Sequence, residues 1–140
     1  MKNILVLCTG NSCRSQMAHG LFEYFTGGQA QIYSAGIETH GLNPKAVAAM
    51  ERIGIDISQN TSNHVDEYGD ISFDYIITVC DHAAENCPIF PSKDAVKIHQ
   101  NFSDPSKLEG SPEAIEAAFD QTRNEIAAFV EKFVKDKLAS

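Results

Sequence analysis

A thiol and a guanidinium stand at the two ends of Cys8-Thr9-Gly10-Asn11-Ser12-Cys13-Arg14, with five residues between them, and Ser15 follows. The stretch comes directly after the apolar run Ile4-Leu5-Val6-Leu7. It reads as a buried strand that empties into a small-residue loop ending at a helix start. The backbone N–H groups of Thr9, Gly10, Asn11, Ser12 and Cys13 can converge on an anion there. The helix N-terminus points the same way, and Arg14 adds a bidentate clamp. Such a cradle holds a tetrahedral oxyanion against Cys8. The same positive field lowers a thiol pKa, so Cys8 is expected to be a thiolate at neutral pH and a nucleophile. A strand-end cysteine is often only a small buried residue, but the Cys-x5-Arg-Ser spacing after an apolar strand argues against that here. Ser15 is a candidate donor to the Cys8 thiolate; its plainer role is a first-turn residue capping itself. Asn11 tolerates a left-handed backbone and could hold the loop's shape. Cys13 reads as loop packing.

Three further residues belong with this loop. Asp104, in Asn101-Phe102-Ser103-Asp104-Pro105, could protonate a departing oxygen, although an aspartate before proline is also a common turn residue. Cys80 closes the run Tyr75-Ile76-Ile77-Thr78-Val79, and Cys87 precedes Pro88. If residues 81–86 are helical, the two Cα atoms lie ~10 Å apart, and a disulfide wants less than ~7 Å. The pair could bond only if that turn unwinds. A short polar helix closed by Pro88 is easily melted, so the segment could be a redox switch, helical when reduced and looped when oxidised. His82 lies inside it and reads as exposed. His19, His40, His64 and His99 show no ligand spacing and read as surface or hydrogen-bonded residues.

The four cysteines occur without a secretory signal, which favours catalytic or redox-active thiols over structural staples. The pairs are Cys-x4-Cys and Cys-x6-Cys, without the two-residue knuckle of structural zinc, so no metal is expected.

The elements that must position these groups follow from periodicity. Strands are expected at Asn3–Cys8, Gln31–Ala35, Asp74–Cys80 and from Ala95 to Ile98 or His99. A helix from Cys13 to Phe25 carries Met17, Leu21, Phe22 and Phe25 inward, and Gly27-Gly28 stops it. Asn43-Pro44 opens a second helix with Val47, Met50 and Ile53 as its apolar stripe and Gly54 at its end. Residues 55–72 read as loop with a helical turn or two, and 81–86 as a short helical turn. Ser111-Pro112-Glu113 starts a long helix running to about Lys135, with Ile115, Phe119, Thr122, Ile126, Phe129, Val130 and Phe133 as its core stripe. Alternating strands and helices imply a parallel sheet with right-handed crossovers. The expected fold is α/β, a three-layer flavodoxin-like arrangement with a four-stranded parallel sheet of order 2-1-3-4, helices on both faces, and one domain over residues 1–140. Ligands bind such sheets where the strand order reverses, at the carboxyl ends of strands one and three. Cys8 and Cys80 should therefore share one rim.

Composition narrows the function. The 140-residue chain is 43% hydrophobic and carries a net charge of −8. No basic face is available for general nucleic-acid binding, and no apolar run approaches the ~20 residues of a membrane span. A soluble, cytoplasmic monomer is expected. An acidic protein that binds an oxyanion must create its positive field locally, as this loop and Arg14 would.

The stretch Cys8 to Met17, the segment Ser34-Ala35-Gly36-Ile37-Glu38-Thr39-His40-Gly41 through Asn43-Pro44, the Cys80…Cys87-Pro88 pair and Asp104-Pro105 together resemble the thioredoxin-coupled arsenate reductases. That family shares its fold with low-molecular-weight protein tyrosine phosphatases. The resemblance implies that Cys8 attacks arsenate held by the loop and Arg14 while Asp104 protonates the leaving oxygen. It implies that Cys80 then attacks the adduct, releasing arsenite and leaving a Cys8–Cys80 disulfide. Cys87 would resolve this to a Cys80–Cys87 disulfide, which reduced thioredoxin would reopen, with no tightly bound cofactor. Some members bind potassium beside the loop through carboxylates. The positions aligned with those acids here are His19 and Asn63, leaving Asn11, Ser34 and Thr61 as oxygen donors, so a tight potassium site is not expected. The alternative is a phosphotyrosine phosphatase using Cys8, Arg14 and Asp104 alike and leaving Cys80 and Cys87 idle; Ser106-Lys107 after Asp104-Pro105 lacks the aromatic residues such an enzyme places against the substrate ring. A non-catalytic redox or anion-sensing module would need the thiols but not Asp104.

Overall fold

A computed structural model describes residues 2–80 and 95–138. The helical turn expected at 81–86, and with it His82, Cys87 and Pro88, lies outside the described residues. The four strands are β1 (Lys2–Cys8), β2 (Ala30–Gly36), β3 (Tyr75–Thr78) and β4 (Val96–His99). All neighbours pair in parallel, in the order β2-β1-β3-β4. β1 is central, and Ile4, Leu5, Val6 and Leu7 are all fully buried. Both of its faces are covered, which explains the unbroken apolar run.

The helices are α1 (Arg14–Thr26), α2 (Pro44–Glu51) and α3 (Pro112–Phe133), the last continued by a π-helical turn at Val134–Leu138. α1 stops where Gly27 takes a left-handed φ of 56° and donates its N–H to Glu23 O. The Asn43 side chain caps α2 by accepting from Lys45 N–H, and the Ser111 hydroxyl caps α3 by accepting from Ala114 N–H. α1 and α3 pack together over one sheet face, where the Phe133 ring meets Phe22 of α1 and Tyr75 of β3 edge-on. On the opposite face Tyr33 of β2 packs edge-on against Tyr68 and Phe73. Tyr68 ends the 3₁₀ turn Val65–Tyr68, the one helical element observed within 55–72.

One expectation needs correction. α2 buries Ala46, Ala49 and Met50, whereas Ile53 lies beyond its end and is 42% exposed. The helix packs its small residues inward because it sits close against α3. α3 also buries Arg123, whose guanidinium donates to Ala49 O at the end of α2 (2.8 Å) and to Asp120 Oδ1 (2.9 Å). The arginine stem lies in the core, and its charged head ties the two helices together.

Candidate active site

Strand register brings the site together. Leu7 pairs with Thr78, and Val79 N–H continues the ladder to Leu7 O (2.9 Å), so β1 and β3 end side by side. The loop leaving β1 is held from outside by its carbonyls. Ile37 N–H donates to Cys8 O, Glu38 N–H to Thr9 O, His40 N–H to Gly10 O and Asn43 N–H to Ser12 O, at 2.8–3.3 Å. Ser62 Oγ also donates to Gly10 O, and Gln16 Nε2 to Asn11 O. Every carbonyl from Cys8 to Ser12 is thus engaged, so none is left to repel an anion.

Asn11 sits at the centre of this frame, fully buried with φ of 46°. Its Nδ2 donates to Ser34 O (3.2 Å), and its Oδ1 accepts from Ser15 Oγ (2.8 Å) and Gln16 Nε2 (3.2 Å). The left-handed residue is the expected one, and the amide compensates its strain. Ser15 departs from expectation: its proton goes to Asn11, so it steadies the loop instead of donating to Cys8. Gly36 makes the close approach possible. A Cβ there would overlap Glu38 O and come within 2.7 Å of Asn11 N and Thr9 O, all backbone atoms. Gly36→Ala is expected to cost about 2–3 kcal/mol and to weaken oxyanion binding; a thermal melt within experimental error of the parent would refute this account of the loop.

The loop and the start of α1 form the floor of a pocket of about 170 Å³ lined by Cys8, Thr9, Gly10, Ser12, Cys13 and Arg14. Its walls are His40, Asp104, Ser106 and Lys107. Arg14 is 9% exposed. Its Nη1 donates to Phe102 O (2.9 Å), its Nη2 stands 3.5 Å from Asp104 Oδ2, and its Nε is buried without an acceptor among the described residues. A buried unpaired donor is costly, and an oxyanion above the loop would supply its acceptor. Asp104 caps the 3₁₀ turn Pro105–Lys107, with Oδ1 accepting from Ser106 N–H and Oγ. Oδ2 stays on the pocket side, beside Arg14.

The two thiols share one rim as expected. Cys8 and Cys80 are both buried free thiols just beyond the paired ends of β1 and β3, and Thr9 Oγ1 lies 3.3 Å from Cys80 Sγ. Their proximity works against the expected ionisation. The Cys80 thiol and burial push the Cys8 thiol well above its usual range, while Arg14 and the Thr9 N–H pull it down. Two buried sulfurs so placed cannot both carry charge, so Cys80 opposes the Cys8 thiolate that Arg14 and the Thr9 N–H favour. Cys13 is pushed up to about 12 by burial and by Asp104, with Arg14 opposing, which suits a packing role.

The oxygen donors considered for potassium are bonded otherwise. His19 Nδ1 lies 2.7 Å from Ser34 Oγ, Gln16 Nε2 donates to Thr61 O, and Asn63 bonds to Thr61 and Glu67. These residues are thus already linked to one another in a hydrogen-bonded frame. Among the described residues no group of three or more His, Cys, Asp or Glu could hold a metal ion, and no helix is long and apolar enough to cross a membrane.

Sequence reasoning missed His40 and Lys107 as pocket walls and Gln16 as the brace between Asn11 and Thr61. Gln16 is fully buried although it follows directly after Arg14-Ser15.

The architecture and this site define a family. The chain belongs to the low molecular weight phosphotyrosine protein phosphatase family, whose model matches residues 3–139. Within that group it is similar to the arsenate reductase of Halalkalibacterium halodurans, 47% identical over 134 residues and 96% of each chain. It is also similar to the arsenate reductase of Bacillus subtilis, 44% identical over 134 residues and again 96% of each chain. A solved arsenate reductase in its oxidised state superposes with a TM-score of 0.81 at 28% identity, covering 97% of this chain and 98% of the other. A tyrosine phosphatase of Erwinia amylovora shares the fold at 22% identity, with a TM-score of 0.79 over 96% and 92% of the two chains.

Proposed function

We propose that this chain, acting as one domain over residues 1–140, reduces arsenate to arsenite through a three-thiol relay that thioredoxin recharges. The observation carrying this reading is the placement of buried Cys8 and Cys80 on neighbouring strand ends at an oxyanion pocket, with Cys80 Sγ against the loop at Thr9. A phosphatase needs the first thiol only; a reductase needs a second thiol within reach of the first.

The chemistry balances in three steps. Cys8, once deprotonated, attacks arsenic; a hydroxyl group leaves as water with a proton from Asp104, and an As–S bond forms. Loop N–H groups and Arg14 hold the other oxygens. The Cys80 thiolate then attacks Cys8 Sγ. The S–S bond forms, the As–S pair goes to arsenic, and arsenic(V) leaves as arsenic(III), arsenite. Thiol–disulfide exchange by Cys87 frees Cys8 and leaves Cys80–Cys87, which a thioredoxin dithiol reduces. The disulfide within one chain favours thioredoxin over mycothiol- or glutathione-linked schemes. The acidic chain with no nucleic-acid face suits a cytoplasmic monomer whose partners are tetrahedral oxyanions and thioredoxin.

The test is NADPH oxidation with thioredoxin, thioredoxin reductase and arsenate. Arsenate-dependent turnover is expected, and Cys87→Ser is expected to stop after one turnover as a Cys8–Cys80 disulfide visible by mass. Sustained turnover by Cys87→Ser would refute the relay. No turnover, with brisk aryl phosphate hydrolysis untouched by substitution at Cys80 or Cys87, would establish the phosphatase instead.

A further inference from the structure

The pocket must hold a dianion in a protein of net charge −8, and its built-in positive charge is modest. Arg14 lies deep, but Asp104 Oδ2 is 3.5 Å from its Nη2 and offsets it. Lys107 stands on the outer wall. Among the described residues that line the pocket, His40 alone is of the side-chain type whose ordinary titration spans neutral pH.

His40 is placed by three contacts. Its N–H donates to Gly10 O (3.0 Å). Its ring lies against the Gly10 backbone so closely that a Cβ at Gly10 would overlap Nδ1. Its Nε2 is 2.7 Å from Glu38 Oε2, and Glu38 N–H is itself tied to Thr9 O. The carboxylate accepts, so Nε2 carries a proton whenever the ring is neutral. Nδ1, on the Gly10 side, is then the ring's unprotonated nitrogen. One further proton turns that atom into a donor and the ring into a cation.

We propose that His40 is the proton-linked wall of the oxyanion pocket, an imidazole held against Gly10 by Glu38 that takes one proton from solvent when a tetrahedral dianion enters. This rests on the pocket being the oxyanion site and adds that binding there is coupled to proton uptake. The ionisable and charged groups facing His40 are Glu38 on its own segment, Cys8, Cys13 and Arg14 from the floor, and Asp104 and Lys107 opposite. Cys13 is pushed up to about 12. Cys8 is removed from the measurement by substitution.

Sulfate is the probe, because it carries no proton near neutral pH and its pH dependence reports on the protein. Its binding to full-length Cys8→Ser protein is followed by calorimetry. Affinity is expected to fall roughly tenfold from about pH 6 to 8.5, with proton uptake shown by buffers of different ionisation enthalpy. In Cys8→Ser/His40→Gln the change should shrink below about twofold with uptake lost. Cys8→Ser/Glu38→Gln should move the midpoint to lower pH, since the carboxylate favours the imidazolium. An undiminished slope in the His40→Gln protein, folded by its melting curve, would overturn the proposal while leaving the oxyanion pocket intact. No sulfate binding at any pH would overturn both.

Discussion

Cys80→Ala is expected to abolish arsenate-dependent turnover while preserving or raising aryl phosphate hydrolysis. Hydrolysis asks for a nucleophile, a clamp and an acid, and the pocket supplies these without Cys80. Reduction needs a second sulfur to take the Cys8 sulfur from arsenic. The same substitution should change the acidity of Cys8. Cys80 is the largest cause raising the Cys8 pKa, so removing it lowers that pKa and leaves Arg14 and the Thr9 N–H to act against burial alone. More thiolate is then present at neutral pH. Alkylation of Cys8 by iodoacetamide, followed on its peptide by mass, should accelerate at pH 7 by at least about tenfold, one pKa unit being a tenfold change in thiolate. Unchanged alkylation would show that Cys80 does not control the nucleophile. Retained arsenate turnover would remove it from the relay.

Arg14→Lys is expected to lower kcat/KM for arsenate by about 10²–10³, the usual effect of losing a preorganised oxyanion donor. Charge is conserved, so the loss tests geometry. The guanidinium spends Nη1 on Phe102 O, sets Nη2 toward Asp104 and still has Nε buried and unpaired. A lysine ammonium is one nitrogen and cannot hold Phe102 while presenting a planar pair of donors to an oxyanion. Steady-state kinetics with arsenate, alongside phosphate as a competitive ligand, separates loss of binding from loss of kcat. An effect below about tenfold would mean that the loop N–H groups carry the anion and Arg14 chiefly braces the Asp104 turn.

Much of this was legible in the sequence, for physical reasons. An apolar run without alternation must be covered on both faces, which made β1 central and put Cys8 at a strand end. Two crossovers of fixed hand then placed Cys80 on the neighbouring strand. What stayed hidden depended on where side chains turn. Ser15 has one proton, and sequence cannot say whether Cys8 or Asn11 receives it. Burial of Gln16 and Arg123 follows from carbonyls at Asn11, Thr61 and Ala49 that only the folded chain brings near. The positive field at Cys8 could be foreseen; the opposing effect of Cys80 required the proximity of the two thiols in the folded chain. Ile53 misled because it repeats at helical spacing past the last turn of α2.

The loop's bonds carry a consequence for how the chain reaches its native state. Arg14 is held by Phe102, 88 residues away, and Thr9 meets Cys80 across 71 residues. Contacts of such high sequence separation form late and slowly, because much chain entropy is lost before they are rewarded. During synthesis the segment carrying Cys8 and Cys13 is made well before Cys80 and long before Asp104. The thiols are therefore most open to wrong pairing while the sheet is still incomplete, and a reducing environment protects the enzyme's assembly as well as its turnover.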